Sequence, residues 1–357
     1  MSFMTAQTLD VKRRGVVAIL VSACAFVLAG CVSVGPATVA RDRFDYNGEV
    51  ARSWKEQMLL NIVKSRYLDT PVFLEISQIV SGYTLQDGVS LGGSTGGPTS
   101  QGLAVSVQGS FSDRPTITYT PLTGAQFNRN MLTPIPPSAI LFTMASGWRV
   151  DLVFRITVRS INSIDSTGSD SPRYDRLLSL LRQLQLAGAV GMRVPPGNKN
   201  SDTVLLVFSV GTLTPEQQAM RKEVREILGL PQDQNEFSVV FGEAASRPGE
   251  IAMQTRSMMQ VLLSLGALVD VPESDVREGR TSASEPATTV SAGMLHIKFS
   301  KDRPSGALAS VAYRNGWYWI DDRDLQSKAT FGLVMLLSTL AETGGRENLP
   351  LVTIPAG

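Results

Sequence analysis

Gly88-Val89-Ser90-Leu91-Gly92 has the G-x-S-x-G spacing of a nucleophile elbow. That pattern does chemistry only where a strand turns sharply into a helix and presents the serine hydroxyl beside a histidine. Here it runs on into glycine, serine and threonine, with no helix signal. The single histidine, His296, would have to be the base, and Asp270 or Asp275 lies between in chain order as the acid. We read residues 88 to 92 first as part of a glycine-rich loop. Asp321, Asp322 and Asp324 cluster between a strand and a helix, where three carboxylates could hold a hard cation such as Ca²⁺. Their spacing does not match an EF-hand loop, so the first expectation is a cap that meets the positive end of the helix dipole. One histidine excludes paired-His metal sites. Alternating with apolar residues, it is expected as a surface or packed strand residue. Arg149, Arg155 and Arg159 share a parity and could meet an anionic glycan, lipid headgroups or a partner's acids; an ordinary solvated sheet face explains them equally. Neither a P-loop nor a G-x-G-x-x-G occurs, so nothing points to a nucleotide.

The elements that would position these residues follow from periodicity. Asn47 can cap a helix whose apolar residues recur at Val50, Trp54, Met58, Leu59, Ile62, Val63 and Tyr67, and Pro71 ends it. Residues 72 to 121 are β-rich. Ile79, Tyr83, Leu85, Val89 and Leu91 fall on one parity, and after the stretch LGGSTGGPTSQG parity resumes at Val105, Val107, Phe111, Ile117 and Tyr119. A short helix is expected near 138 to 145. The cleanest alternation follows: Trp148, Val150, Leu152, Phe154, Ile156 and Val158 against Arg149, Asp151, Arg155, Thr157 and Arg159, with Val153 the exception. It predicts a long amphipathic strand. STGSDSPRY at 166 to 174 reads as a boundary, followed by a leucine-faced helix. VLLVFSV and FSVVFG read as strands. Thr214-Pro215-Glu216-Gln217 reads as a capping box whose helix ends near Gly229, and residues 249 to 267 as a helix. Residues 271 to 291 read as a polar loop. Three strands then surround Asn315-Gly316, the strongest short hairpin signal, before a core helix at 324 to 342.

The N-terminus carries a different chemistry. Lys12, Arg13 and Arg14 precede the apolar run GVVAILVSACAFVL, then Ala29, Gly30 and Cys31. A cationic region, a short apolar core and small residues before a cut make a secretory signal. The apolar run is shorter than the roughly 20 residues a spanning helix needs. Leu28-Ala29-Gly30-Cys31 resembles the lipobox of bacterial lipoproteins. That resemblance implies a diacylglyceryl group on the Cys31 thiol, cleavage between Gly30 and Cys31, and acylation of the new amine. A second candidate, ending at Cys24, would leave too short an apolar core. Val32 stands where the family's inner-membrane retention signal has Asp, which implies the outer membrane. Residues 53 to 76 and 318 to 337 also resemble stretches of bacterial lipoproteins to which no activity attaches.

Cleavage removes 30 of 357 residues, with three cations and Asp10, so the formal charge moves from +1 to −1. That balance gives no reason to expect nucleic acid. With Cys24 cut away and Cys31 acylated, no free thiol remains for a disulfide, a nucleophile or a metal. The composition, 43% apolar, supports a large core. The expected fold class is α+β, mixed helices and mainly antiparallel sheet behind a lipid tether. The expected divisions are 1–30 signal peptide, 31–45 lipidated tether, 46–165 helix plus β-rich domain, and 166–357 α+β domain with its polar loop at 271–291. The leading functional expectation is a non-catalytic, periplasm-facing outer-membrane lipoprotein that acts as a structural or assembly component of an envelope complex. It would need no cofactor beyond the lipid on Cys31, and its partners would be the membrane and other envelope proteins. The alternatives are a homo-oligomeric export pore built from residues 78 to 120, and a serine hydrolase using Ser90.

Overall fold

The computed structural model describes residues 34–342, apart from 81–82, 96–100, 114–115, 196–203, 210, 212 and 284–293. Cys24, Gly30 and Cys31 lie outside the described residues. The fold is α+β with mainly antiparallel sheets. Residues up to Lys55 form one compact unit and residues from Glu56 a second.

Helix α1 runs from Val34 to Arg66, so the expected tether at 31–45 is helical from residue 34 onward. Its one proline, Pro36, falls in the first turn, where a missing N–H costs no intrahelical bond. In the N-terminal unit the exposed pair Glu49–Arg52 lies one turn apart at 3.1 Å. In the second unit α1 buries Met58, Leu59, Ile62 and Val63.

Strands β1 (Leu74–Val80), β2 (Tyr83–Thr95), β3 (Gln101–Asp113) and β4 (Thr116–Pro121) fill the β-rich region, and residues 88–92, expected in a glycine-rich loop, lie instead within β2, where cross-strand pairing to residues 104–108 holds them extended. Helix α2 spans Pro137–Ala145. The expected long strand at 148–159 is instead helix α3 (Val150–Thr157) running into strand β5 (Val158–Ile161). Val153, the exception to alternation, is the telling residue. Val150, Leu152, Val153, Phe154 and Ile156 are all buried, a distribution a helix enclosed on most sides can satisfy. The switch to strand at Val158 is secured from elsewhere in the chain. The Tyr174 hydroxyl lies 3.2 Å from the Phe154 carbonyl and 3.3 Å from that of Val158. The Arg256 guanidinium donates to the Arg155 and Ile156 carbonyls, and its backbone N–H to Thr157. These donors satisfy the carbonyls that the helix end leaves open.

Strand β6 (Ile164–Asp165), helix α4 (Ser171–Leu186), strands β7 (Val190–Arg193) and β8 (Val204–Phe208), helix α5 (Pro215–Leu228), and strands β9 (Glu236–Phe241) and β10 (Glu250–Thr255) complete the main layer pair. The sheet order is β6-β5-β10-β9-β8-β7, with only β9 and β10 parallel. Two expectations are corrected here. Residues 250–255, expected as helix, are a strand paired on both sides, with every residue but Gln254 buried; tertiary pairing outweighs the propensity of Ala252, Met253 and Gln254. The division at 165/166 also fails, because β5 pairs with β10 (Ile161 opposite Met253) and one sheet takes strands from both expected domains. The capping box forms as read, with Thr214 and Gln217 satisfying each other's backbone N–H, and Gly229 closes α5 at φ 67°.

Helix α6 (Met258–Gly266) starts from a second capping box, Ser257 with Gln260. The expected polar loop contains a short helix, α7 (Glu273–Arg277). Strands β11 (Lys298–Ser300), β12 (Ala307–Tyr313) and β13 (Gly316–Asp321) form the order β11-β13-β12. Arg314 and Asn315 are the hairpin loop, one position earlier than the Asn-Gly pair suggests, and Arg314 takes φ 52°. Gly316 is needed for space, since a Cβ there would stand 2.3 Å from the Phe299 ring. Helix α8 (Leu325–Glu342) buries Phe331, Leu333, Val334 and Leu337. Among the described residues no helix is long and apolar enough to cross a membrane.

Candidate functional site

The residues singled out for chemistry do not converge. Ser90 lies in mid-strand on β2, opposite Ser106 of β3, with the ladder continuing on both sides. The sharp strand-to-helix turn that an elbow needs is not at this serine. His296 does meet an acid: its Nε2 lies 2.9 Å from Asp270 Oδ2, with both side chains about half exposed (49% and 47%). The hydroxyl beside its backbone, on Ser327, accepts from the His296 N–H and donates to Asp324 at 2.6 Å. Asp275, the other acid considered, is buried against Tyr67 instead.

The three aspartates turn to separate partners. Asp324 caps α8 through the Ser327 N–H and hydroxyl. Asp322 pairs with Lys328 at 2.7 Å. Asp321 takes Arg323 and Lys298, each at 3.1 Å, and these hydrogen bonds hold its carboxyl well below the usual carboxylate range. No group of three metal-ligating side chains occurs among the described residues. The arginines expected on one strand face are spread over three places. Arg149 precedes α3 and pairs with Asp151 at 2.6 Å, Arg155 on α3 pairs with Asp175 at 2.7 Å, and Arg159 on β5 faces Asp165 at 3.6 Å. Each positive charge has its own acid, and the helical turn of 150–157 removes their shared face.

What the fold does present is an arm. Val80 lies opposite Thr116, and Tyr83 opposite Asp113, three positions on in each direction. The β1–β4 and β2–β3 ladders therefore belong to one antiparallel hairpin. The register steps around Ser77 and is then the same from Gln78↔Thr118 to Val80↔Thr116 and from Tyr83↔Asp113 to Thr95↔Gln101. At the step, the Ser77 hydroxyl donates to the Thr118 carbonyl at 3.2 Å. With 7 residues in β1 and 13 in β2, each leg holds about 65 Å of strand at about 3.3 Å per residue. The register sets Leu85 opposite Phe111, Val89 opposite Val107 and Leu91 opposite Val105. Among the described residues neither ladder pairs with a third strand.

The root of the arm is built from residues that the periodicity of α1 does not reveal. Gln57 and Asn61 stand one turn apart on α1. The Asn61 carboxamide accepts from the Val72 N–H at 3.0 Å and donates to the Val72 carbonyl at 2.8 Å. Gln57 does the same for Leu74, at 2.9 and 3.3 Å. Two amide side chains thus stand in for a neighbouring strand, because an i,i+4 step along a helix nearly matches an i,i+2 step along a strand. Phe73 and Leu122, both buried, close the base, with Leu122 N–H donating to the Phe73 carbonyl at 2.9 Å.

The end of α1 is clamped in turn. Tyr67 donates to Asp275 Oδ2 at 2.7 Å and lies 2.5 Å from the Tyr318 hydroxyl. Arg66 is held across the same seam: Thr281 Oγ1 donates to its carbonyl at 2.9 Å, and its guanidinium donates to the Ser282 carbonyl at 2.8 Å. Arg314, held at its positive φ, sits 4.5 Å over the Tyr67 ring. Burial, then the bonds to Tyr318 and Asp275, push the Tyr67 hydroxyl far above its ordinary pKa. Burial raises Tyr318 as well. A carboxamide at i,i+4 ahead of a Pro-ended helix is the only sequence signal that could have pointed to this root. No protein-family model matches the chain, and no curated protein or solved structure matches it significantly.

Proposed function

We propose that this chain is a lipid-anchored, non-catalytic protein of the bacterial outer membrane, and that it acts as an assembly component of an envelope complex through its β-arm. The anchor rests on the lipobox at Leu28-Ala29-Gly30-Cys31. Two acyl signals at about 0.8 kcal/mol per buried methylene hold a chain firmly, where one chain binds only marginally. The observation that carries the assembly reading is the arm itself: a long two-stranded ribbon seated by side-chain amides on α1. An isolated two-stranded ribbon is at best marginally stable in water, so a ribbon this long is suited to being covered. Among the described residues, Arg149, Arg155, Asp322 and Asp324 are spent on pairs and a helix cap, which supports the same reading.

The test compares the lipidated wild-type chain with one in which residues 78–118 are replaced by a short glycine linker. Both are extracted from their own membranes in mild detergent. The variant should keep the thermal transition of the body and lose the higher native mass or the co-purifying chains. A variant that keeps every partner of the wild type refutes the arm as the assembling part.

A further inference from the structure

We infer that the arm's partner is a second copy of this chain, and that several copies close their arms into one β-barrel in the membrane. The inference rests on the assembly reading above and names its partner.

The edges argue first. A two-stranded ribbon has two outer edges, and among the described residues neither edge of β2–β3 is paired. Soluble proteins guard such edges with charge, proline, bulges or a covering element. From Tyr83 to Ser112 the only charged residue is Asp87, and the register of β2 and β3 runs without a bulge. The two edges also run in opposite directions. The outer edge of β3 in one copy can therefore take the outer edge of β2 in the next as an antiparallel neighbour. Repeated head to tail, this contact uses both edges of every copy and closes into an even-stranded ring.

The faces argue second. By register the apolar residues of β2 and β3 share one parity, interrupted by Asp87, while Gln86, Gly88, Ser90, Ser106, Gln108 and Ser110 share the other. Apolar outside and polar inside is the pattern of a membrane barrel with a watery lumen. Length agrees as well. Each strand has 13 residues, about 43 Å, which at a tilt of about 40° rises about 33 Å, close to the roughly 30 Å hydrocarbon core. In that core no backbone group can stay unpaired, so a hairpin that enters must find strand neighbours on both sides. Further copies supply identical edges, and a lipid anchor would hold those copies in one membrane plane. At the base, Ile117 and Tyr119 on the same parity of β4 are exposed (39% and 51%).

The experiment uses the full, lipidated chain in its own membranes. Copies carrying Ser90→Cys are co-expressed with differently tagged copies carrying one cysteine at position 102, 104, 106, 108 or 110, the same-parity positions of β3. Splitting the cysteines between chains reads the outer edge rather than the hairpin's own pairing. At least one mixed pair is expected to form an inter-chain disulfide on mild oxidation, while Ser90→Cys copies alone form none. The native mass should be a fixed multiple of the protomer. In planar lipid bilayers the purified oligomer should give discrete conductance steps that Val89→Asp abolishes without changing the melting of the body. Disulfides between Ser90→Cys copies alone would overturn the head-to-tail ring. So would a native mass of one copy, or an oligomer without conductance. A single copy bound to other envelope proteins through the arm would overturn this inference and leave the assembly reading standing. An arm-deleted chain that keeps its partners would overturn that reading itself.

Discussion

Replacing Asn61 with Ala isolates the root of the arm. Asn61 is 1% exposed and makes two bonds to the Val72 backbone, at 2.8 and 3.0 Å. Each bond contributes about 1 kcal/mol net, and a backbone group left dry without its partner costs about 1–3 kcal/mol. Asn61→Ala is therefore expected to destabilise the root by about 3 kcal/mol. Gln57→Ala cuts the corresponding pair of bonds to Leu74, at 2.9 and 3.3 Å, but these face solvent. Water replaces the lost amide there, and the expected cost is about 0.5 kcal/mol. Native-state hydrogen exchange reads both sites directly. The Val72 amide should exchange about a hundredfold faster in Asn61→Ala, which corresponds to about 3 kcal/mol, and the Leu74 amide only about twofold faster in Gln57→Ala. Equal effects of the two substitutions would refute the argument, since it rests on the burial of the Asn61 side chain. An unchanged Val72 rate in Asn61→Ala would show that the core around Phe73 holds the root without the amide.

Alkaline stability follows from the tyrosines. Burial raises Tyr67, Tyr174 and Tyr318 above the unfolded value of 10.0, so the folded state keeps protons that the unfolded chain releases. Their contribution is complete below pH 10 and declines as pH rises above it, with a slope of about 1.4 kcal/mol per pH unit per tyrosine. Melting curves from pH 9 to 11.5 should show this fall, and Tyr67→Phe should flatten part of it; an unaltered slope would sink the assignment. Gly316→Ala should cost about 1–3 kcal/mol in urea unfolding, because its Cβ would meet the Phe299 ring at 2.3 Å and the Ser300 carbonyl at 2.8 Å. A neutral result would mean that the Phe299 ring is free to move aside. Cys31→Ser should accumulate as an uncut, unlipidated precursor by mass spectrometry, and normal processing of that variant would remove the anchor from the proposal.

Local chemistry was legible from the chain alone wherever neighbouring residues satisfy one another. Thr214 and Gln217 form their capping box, Gly229 ends that helix, and the parity of residues 79–91 and 105–119 becomes a paired hairpin, because these outcomes depend on backbone steps of a few residues. The same alternation misled at 148–159. Burial on nearly every side erased the difference between the two periods, and Tyr174 and Arg256, distant in sequence, decided where helix gives way to strand. Residues 250–255 became a strand for the same kind of reason, since β5 and β9 wait on either side. The scatter of Arg149, Arg155 and Arg159 follows from the turn of α3, and the paired amides of Gln57 and Asn61 acquire their role only when Val72 and Leu74 are folded back against α1. A sequence determines what each short segment can satisfy within itself. The tertiary structure decides the rest, because a buried segment takes whichever conformation lets its backbone groups find partners on elements that are remote along the chain.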